Sequence, residues 1–253
     1  MINPVILIED RGAVRVITLH RPEKKNAFDI ALTEALWDAL DGASDDAAIG
    51  AVVVTGAGDL FSAGADVNLF LGASEGGDIT KVARLFEPLK ACTKPTIAAV
   101  NGPAIGMGVT ILPHFDLVYA AEEATFTVPF MRLALGVEYA GSFHLPRLVG
   151  HQRARELVLR GKAIDGKTAE AWGLVVRAFP RGRLLDEVVA IAADVAALPR
   201  GAILEARRIF DRGLEATHVA DAVADENAVL ASRYGSPENV EAVMAFLSSR
   251  KKS

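Results

Sequence analysis

Two glycine-punctuated turns, each between an apolar strand pattern and the start of a helix, are where this chain can do chemistry. The first is Phe61-Ser62-Ala63-Gly64-Ala65-Asp66-Val67. It follows the uniformly apolar Ala51 to Thr55 and precedes a helical run from Val67 to Leu71, for which Asp66 is a suitable N-cap. The second lies in Asn101-Gly102-Pro103-Ala104-Ile105-Gly106-Met107-Gly108, after the apolar Thr96 to Val100. Glycine lets a backbone approach a ligand closely. The first N–H groups of a helix lack intrahelical partners and lie at the positive end of its dipole. Each turn can therefore offer a backbone donor to a developing oxyanion. Either turn alone is an ordinary α/β connection; the pair is what points to chemistry.

The elements that must hold these turns are readable in order. Val5 to Asp10 and Val14 to His20 alternate as a hairpin around Arg11-Gly12, ended by Pro22. Asp29 caps a helix with Leu32, Ala35, Leu36, Ala39 and Leu40 at helical spacing, expected to end near Gly42. Gly72 to Asp78 reads as a surface connector, with a lid as the alternative, and Ile79 to Ala91 as an amphipathic helix. Strands are expected at Asp116 to Ala121 and Ala124 to Val128, then a loop from Phe130 to Ser142. Helices follow at Ser142 to Leu148, Gln152 to Arg160 and Thr168 to Trp172, with a strand at Val175 to Phe179. From Leu184 the pattern is helical throughout: Leu184 to Ala197, Ala202 to Leu214, Val219 to Tyr234 and Glu238 to Ser249.

Composition narrows the function classes. Half of the 253 residues are apolar, enough for a large core, and the net charge of -5 gives no nucleic-acid footprint. Cys92 is the single cysteine, so no internal disulfide forms and a reducing compartment is the simpler assumption. His20, His114, His151 and His218 show no metal-ligand spacing. With no signal-length or membrane-length apolar run, a soluble cytoplasmic protein without membrane or nucleic-acid partners is expected.

The chain resembles the crotonase superfamily, the enoyl-CoA hydratase/isomerase family. The matching segments are Ile17 to Ala27, Phe61 to Asp66, Ala99 to Gly108, Leu145 to Gly150 and Ala163 to Val175, in the family's order and spacing. The resemblance implies an α/β fold built as a crotonase-like spiral of ββα units, a core over 1–183 with an acyl-CoA site, and a helical oligomerisation region over 184–253. It implies a homotrimer or a dimer of trimers, and an acyl-CoA thioester as substrate with no separate cofactor. Its two oxyanion donors fall on the backbone N–H groups of Ala65 and Met107, the latter glycine in many relatives. The CoA contacts fall on Lys24, Ala27, Phe28, Ala63, Asp66, Val67 and Gly106. For Lys24 and Lys25, solvated charge is the equal alternative to a phosphate contact.

Hydratases of the family use two glutamates. Carried over residue by residue, those positions hold Thr110 and Phe130, neither of which can be a general base. A third position, used as a lone acid by the family's Δ3,Δ2-enoyl-CoA isomerases, holds Glu138 in Leu135-Gly136-Val137-Glu138-Tyr139-Ala140-Gly141, with Val137 where those isomerases have proline. Leu133, Leu135 and Val137 are suited to desolvate this carboxyl group and raise its pKa. The expected activity is movement of a double bond from the 3 to the 2 position of an enoyl-CoA. Another crotonase reaction, including hydration, and silent acyl-CoA binding are the alternatives.

Overall fold

The computed structural model describes residues 4–72, 82, 86–215, 218–233 and 236–250. Most of the Gly72 to Asp78 connector and much of the helix expected at Ile79 to Ala91 lie outside them. By internal contacts the chain forms two units, Met1–Ala193 and Asp194–Ser253.

The first unit is organised by a six-stranded sheet. Its strands are β1 (Ile6–Arg11), β2 (Val14–Leu19), β3 (Ala51–Gly56), β4 (Thr96–Val100), β6 (Leu117–Ala121) and β9 (Arg177–Phe179), adjacent in that order. β1 pairs antiparallel with β2 across the Gly12 turn; every later pair is parallel. All residues of β3 and β4 are buried, as their unbroken apolar runs require in a parallel sheet covered on both faces. β1 is the edge, and its Glu9, Asp10 and Arg11 carry charge there, which discourages strand addition.

A smaller sheet joins β5 (Ala104–Ile105), β7 (Thr125–Thr127) and β8 (Ile164–Asp165), extended by isolated bridges Ser62 to Ala104 and Phe28 to Ala65. The path repeats. β2 leads to Phe28 and then helix α1 (Ile30–Asp45). β3 leads to Ser62 and Ala65 and then α2 (Val67–Gly72). After α3 (Phe86–Ala91), β4 leads to β5 and then α4 (Met107–Thr110), while β6 leads to β7. Each turn of this spiral sends a long strand to one sheet, a short strand or bridge to the other, and then in most cases enters a helix. The two bridges and the β5–β7 pair are all parallel, so the chain leaves each of these short segments in the same direction.

α1 starts where expected, with the Leu32 N–H donating to Asp29 Oδ1 at 2.8 Å. It buries Leu32, Leu36 and Leu40, each contributing about 1.5–3 kcal/mol by removal from water. It passes the expected stop at Gly42 and runs to Asp45, because Ala43 is still fully buried on the sheet-facing stripe. The helices that complete this unit are α5 (Gly141–Val149), α6 (His151–Arg160), α7 (Gly166–Trp172) and most of α8 (Arg181–Ala196). α7 begins earlier than Thr168 because Asp165 is its N-cap, accepting the Thr168 N–H at 2.7 Å. Asp194–Ser253 holds the end of α8 and three further helices, α9 (Arg200–Glu215), α10 (Val219–Arg233) and α11 (Pro237–Arg250). No described helix is long and apolar enough to cross a membrane.

Candidate active site

The two glycine turns are in direct backbone contact. Phe61 and Ser62 donate their N–H groups to Pro103 O at 3.1 and 3.2 Å, and Ile105 N–H returns a bond to Ser62 O at 3.0 Å. Gly64 has φ +88, and a Cβ there would stand 2.5 Å from Ile105 O and 3.2 Å from Met107 N. A Cβ on Gly108 would stand 2.8 Å from Ser62 O. Only hydrogen at these two α-carbons lets the turns close on each other.

This contact orients two donors. Phe28 N–H bonds to Gly64 O and Asp66 N–H bonds to Phe28 O, both at 2.8 Å, so the chain on either side of Ala65 is committed toward Phe28. Extended chain alternates the direction of its amides, which leaves the Ala65 N–H facing the opposite way. Met107 is the first residue of α4 and has no intrahelical acceptor for its N–H. Gly106, at φ 55 and ψ -116, turns the chain into this helix while its own N–H bonds to Thr127 O at 2.8 Å. Among the described residues no acceptor takes the Ala65 or the Met107 N–H.

Two uncharged side chains flank the second turn. Thr110, at the end of α4, is fully buried, with Oγ1 directed at Gly106 O at 3.5 Å. Phe130 is 4% exposed, and its ring edge lies 3.5 Å from where a Cβ on Gly106 would be.

Glu138 sits on a turn packed against α4: a Cβ on Gly141 would lie 3.2 Å from Thr110 Cγ2. The Glu138 carboxyl group is half-buried, and removal from water raises its pKa from 4.5 to about 7. Leu133 is 54% and Val137 37% exposed, so the shielding expected from those side chains is not theirs alone. After Glu138 the backbone takes a form unusual for L residues. Tyr139 and Ala140 both have positive φ, 52 and 51, at a cost of about 1–2 kcal/mol each. The Gly141 N–H donates to Glu138 O at 2.9 Å, and Ala140 O accepts the Phe143 and His144 N–H groups that open α5. A cavity of about 480 Å³ between α5 and α6 has Val137, Gly141, Leu145, Ala154 and Val158 in its wall, with His151 and Arg155 also lining it.

The segment before α1 is tied to the first turn. Arg21 pairs with Asp29 at 3.0 Å and Asp66 at 3.4 Å, and donates to Ala27 O at 2.5 Å. Asn26, fully buried at φ 50, donates from Nδ2 to Ala57 O and Leu60 O, and its own carbonyl accepts the Ser62 hydroxyl. Ala27 and Phe28 are buried. Ala63 donates its N–H to Lys25 O at 2.9 Å, Lys24 is exposed beside it, and Val67 is 62% exposed at the start of α2. Asp66 caps α2 by accepting the Asn68 N–H at 3.1 Å. The expected CoA-contact residues from Lys24 to Val67 therefore share one continuous ledge, and Gly106 adjoins it through the Ser62–Ala104 bridge. Arg21 was not singled out from the sequence; its signal was an arginine inside the Ile17 to Ala27 motif, which pairs with Asp66 of the Phe61 to Asp66 motif and with Asp29, the N-cap of α1.

A family model for enoyl-CoA hydratase/isomerase matches residues 9–253. The chain belongs to the enoyl-CoA hydratase/isomerase family. It is 34% identical to enoyl-CoA delta isomerase 2 of Rattus norvegicus over 254 residues, covering 98% of this chain and 64% of that longer protein. It is also 34% identical to a probable enoyl-CoA hydratase of Rhizobium meliloti strain 1021, with 97% and 96% covered. The solved structure of a putative enoyl-CoA hydratase/carnithine racemase from Magnetospirillum magneticum AMB-1 superposes with TM-score 0.88 at 33% identity, covering 98% and 97%. The fold is the crotonase-like fold of this family, with its C-terminal helical region, as the sequence motifs imply.

Proposed function

We propose that this family member is a Δ3,Δ2-enoyl-CoA isomerase in which Glu138 is the sole proton carrier and the Ala65 and Met107 N–H groups form the oxyanion hole. One observation carries the reading: the two side chains beside the oxyanion turn where a hydratase needs carboxylates are the buried, non-ionisable Thr110 and Phe130. The nearby carboxyl group is Glu138, poised near neutrality by burial. The similarity to an enoyl-CoA delta isomerase is in keeping with this, though a hydratase-named relative is equally identical.

The chemistry follows from these groups. The Glu138 carboxylate removes a proton from C2 of a 3-enoyl-CoA, and the electron pair of that C–H bond flows to the thioester oxygen. Two preorganised N–H donors stabilise the resulting dienolate, each worth about 2.7–4 kcal/mol where such donors have been removed. The protonated Glu138 then delivers its proton to C4, the double bond settles between C2 and C3, and the carboxylate is regenerated. A pKa near 7 suits a group that must both accept and return a proton near neutral pH. CoA enters as part of the substrate, along the ledge of Lys24, Ala27, Phe28, Ala63, Asp66, Val67 and Gly106.

We read the helical region as the assembly surface of a trimer or a dimer of trimers. Leu204, Phe210, Leu214, Leu230, Val240 and Met244 are each more than 40% exposed in the single chain. Incubation with 3-enoyl-CoA and, separately, with 2-enoyl-CoA tests the reaction. The first should give 2-enoyl-CoA rapidly and the second little hydroxyacyl product; the reverse pattern would reject the isomerase reading.

A further inference from the structure

The turn that carries Glu138 is held in a conformation its sequence does not favour. Tyr139 and Ala140 have left-handed backbones without being glycine, and both follow the proposed base directly. Some contact from outside the turn must select this geometry over the ordinary right-handed or extended ones. The ring of His114 makes such a contact. Its Nε2 lies 2.9 Å from Tyr139 O, and because a carbonyl can only accept, that nitrogen carries a proton. His114 is 9% exposed, and the His144 ring meets it edge-on at 5.1 Å, which restricts its rotation. The Tyr139 hydroxyl adds an anchor of its own, donating to Val82 O.

The position of His114 in the chain gives this bond its meaning. Met107 O accepts the Ile111 N–H at 2.9 Å, and Ile111 O accepts the His114 N–H at 3.0 Å, so α4 runs on into the short 3-10 turn Leu112–His114. The backbone that presents the Met107 donor and the ring that grips the peptide after Glu138 thus belong to one continuous helical piece. We propose that His114 is a positioning residue: by donating Nε2–H to Tyr139 O it holds the Glu138 turn in its left-handed form and fixes the base relative to the oxyanion donors. This rests on the isomerase reading for its kinetic consequence, but the structural consequence does not.

The test compares His114→Phe, which keeps an aromatic ring and loses the donor, with His114→Gln, whose amide can restore an N–H near the same place. His114→Phe should lower kcat for 3-enoyl-CoA about 10- to 100-fold with KM nearly unchanged, the expected result of a misplaced base. His114→Gln should recover most of that loss. Ala140→Gly placed on His114→Phe should also recover part of it, since glycine accepts a positive φ without the donor's help. A simple packing role predicts no rescue by either change. Crystal structures of the two variants supply a readout independent of activity: residues 139 and 140 should leave the left-handed region in His114→Phe and stay in it in His114→Gln. An unchanged turn in His114→Phe, or equal kcat in both variants, overturns the proposal. Glu138→Gln assayed alongside separates the two readings. Full activity in Glu138→Gln sinks the isomerase mechanism, whereas an inactive Glu138→Gln with a fully active His114→Phe sinks only the role of His114.

Discussion

Replacing Gly64 with alanine should remove most of the rate while leaving the fold in place. The new Cβ would start 2.5 Å from Ile105 O, and reaching an ordinary contact of 3.4 Å requires the two turns to part by ~0.9 Å. That movement acts at Gly64, one residue from the Ala65 donor, and at Ile105, two residues from the Met107 donor. A misplacement of about 1 Å is worth about 10²-fold in a preorganised site. The positive φ of 88 adds a conformational penalty of about 1–2 kcal/mol that lowers stability and does not itself touch the chemistry. Gly58 separates these two effects, since its φ is +70 but a Cβ there meets nothing within 4 Å. Gly58→Ala should lose stability of the same order and keep its kcat. Steady-state isomerisation of 3-enoyl-CoA and a thermal melt on both variants read the result. Native kcat in a folded Gly64→Ala, or equal losses of rate in both, would refute the claim that these backbones form the catalytic surface.

Other consequences are checked more simply. Met107→Gly should retain much of the activity, because it keeps the N–H, whereas Met107→Pro removes the donor and should lose about 10²-fold or more in kcat. Because the Glu138 carboxyl must be ionised to act, kcat/KM should fall as pH drops through about 7. A carboxyl group whose native pKa is raised above its ordinary 4.5 binds its proton more tightly when folded, so stability falls as pH rises from 4.5 to about 7. Glu138→Gln should accordingly melt higher than the native protein at pH 8, with the gap closing toward pH 4.5. Arg21→Ala should destabilise by about 2–3 kcal/mol in denaturant titration, intermediate between exposed and buried pairs, because it strands the largely buried Asp66 carboxylate. Sedimentation of the full chain at micromolar concentration should give a trimer or hexamer, and a clean monomer would reject the proposed assembly.

What the sequence made legible was the part of the site governed by local rules. Asp29 and Asp66 cap helices by contacts with residues two or three positions away, and the strand-to-turn steps before Gly64 and Gly106 follow from runs too short and too uniformly apolar for amphipathic helices. The fold came through the order of several motifs, since no single one specifies the spiral. The rest depends on long-range contacts. β5 and β8 are two residues each and exist because β7 lies between them, so no periodicity announces them. Gly42 looked like a helix stop, but its cost of about 1 kcal/mol is outweighed by the burial of Ala43 behind it. Tyr139 and Ala140 carry no residue-level sign of left-handed backbone. That conformation is selected by groups far away in sequence, His114 among them. Arg21 likewise meets Asp66 only once the first turn folds back onto the ledge.

In the proposed mechanism one carboxyl group, that of Glu138, both takes and returns the proton. The direct measurement is single-turnover conversion of a 3-enoyl-CoA deuterated at C2, in ordinary water, with product analysis by mass spectrometry and NMR. The product should be 2-enoyl-CoA, with part of the deuterium carried from C2 to C4 by Glu138, and turnover should fall by about 10²-fold or more in Glu138→Gln. A 3-hydroxyacyl-CoA as the main product, or undiminished turnover in Glu138→Gln, would contradict this mechanism.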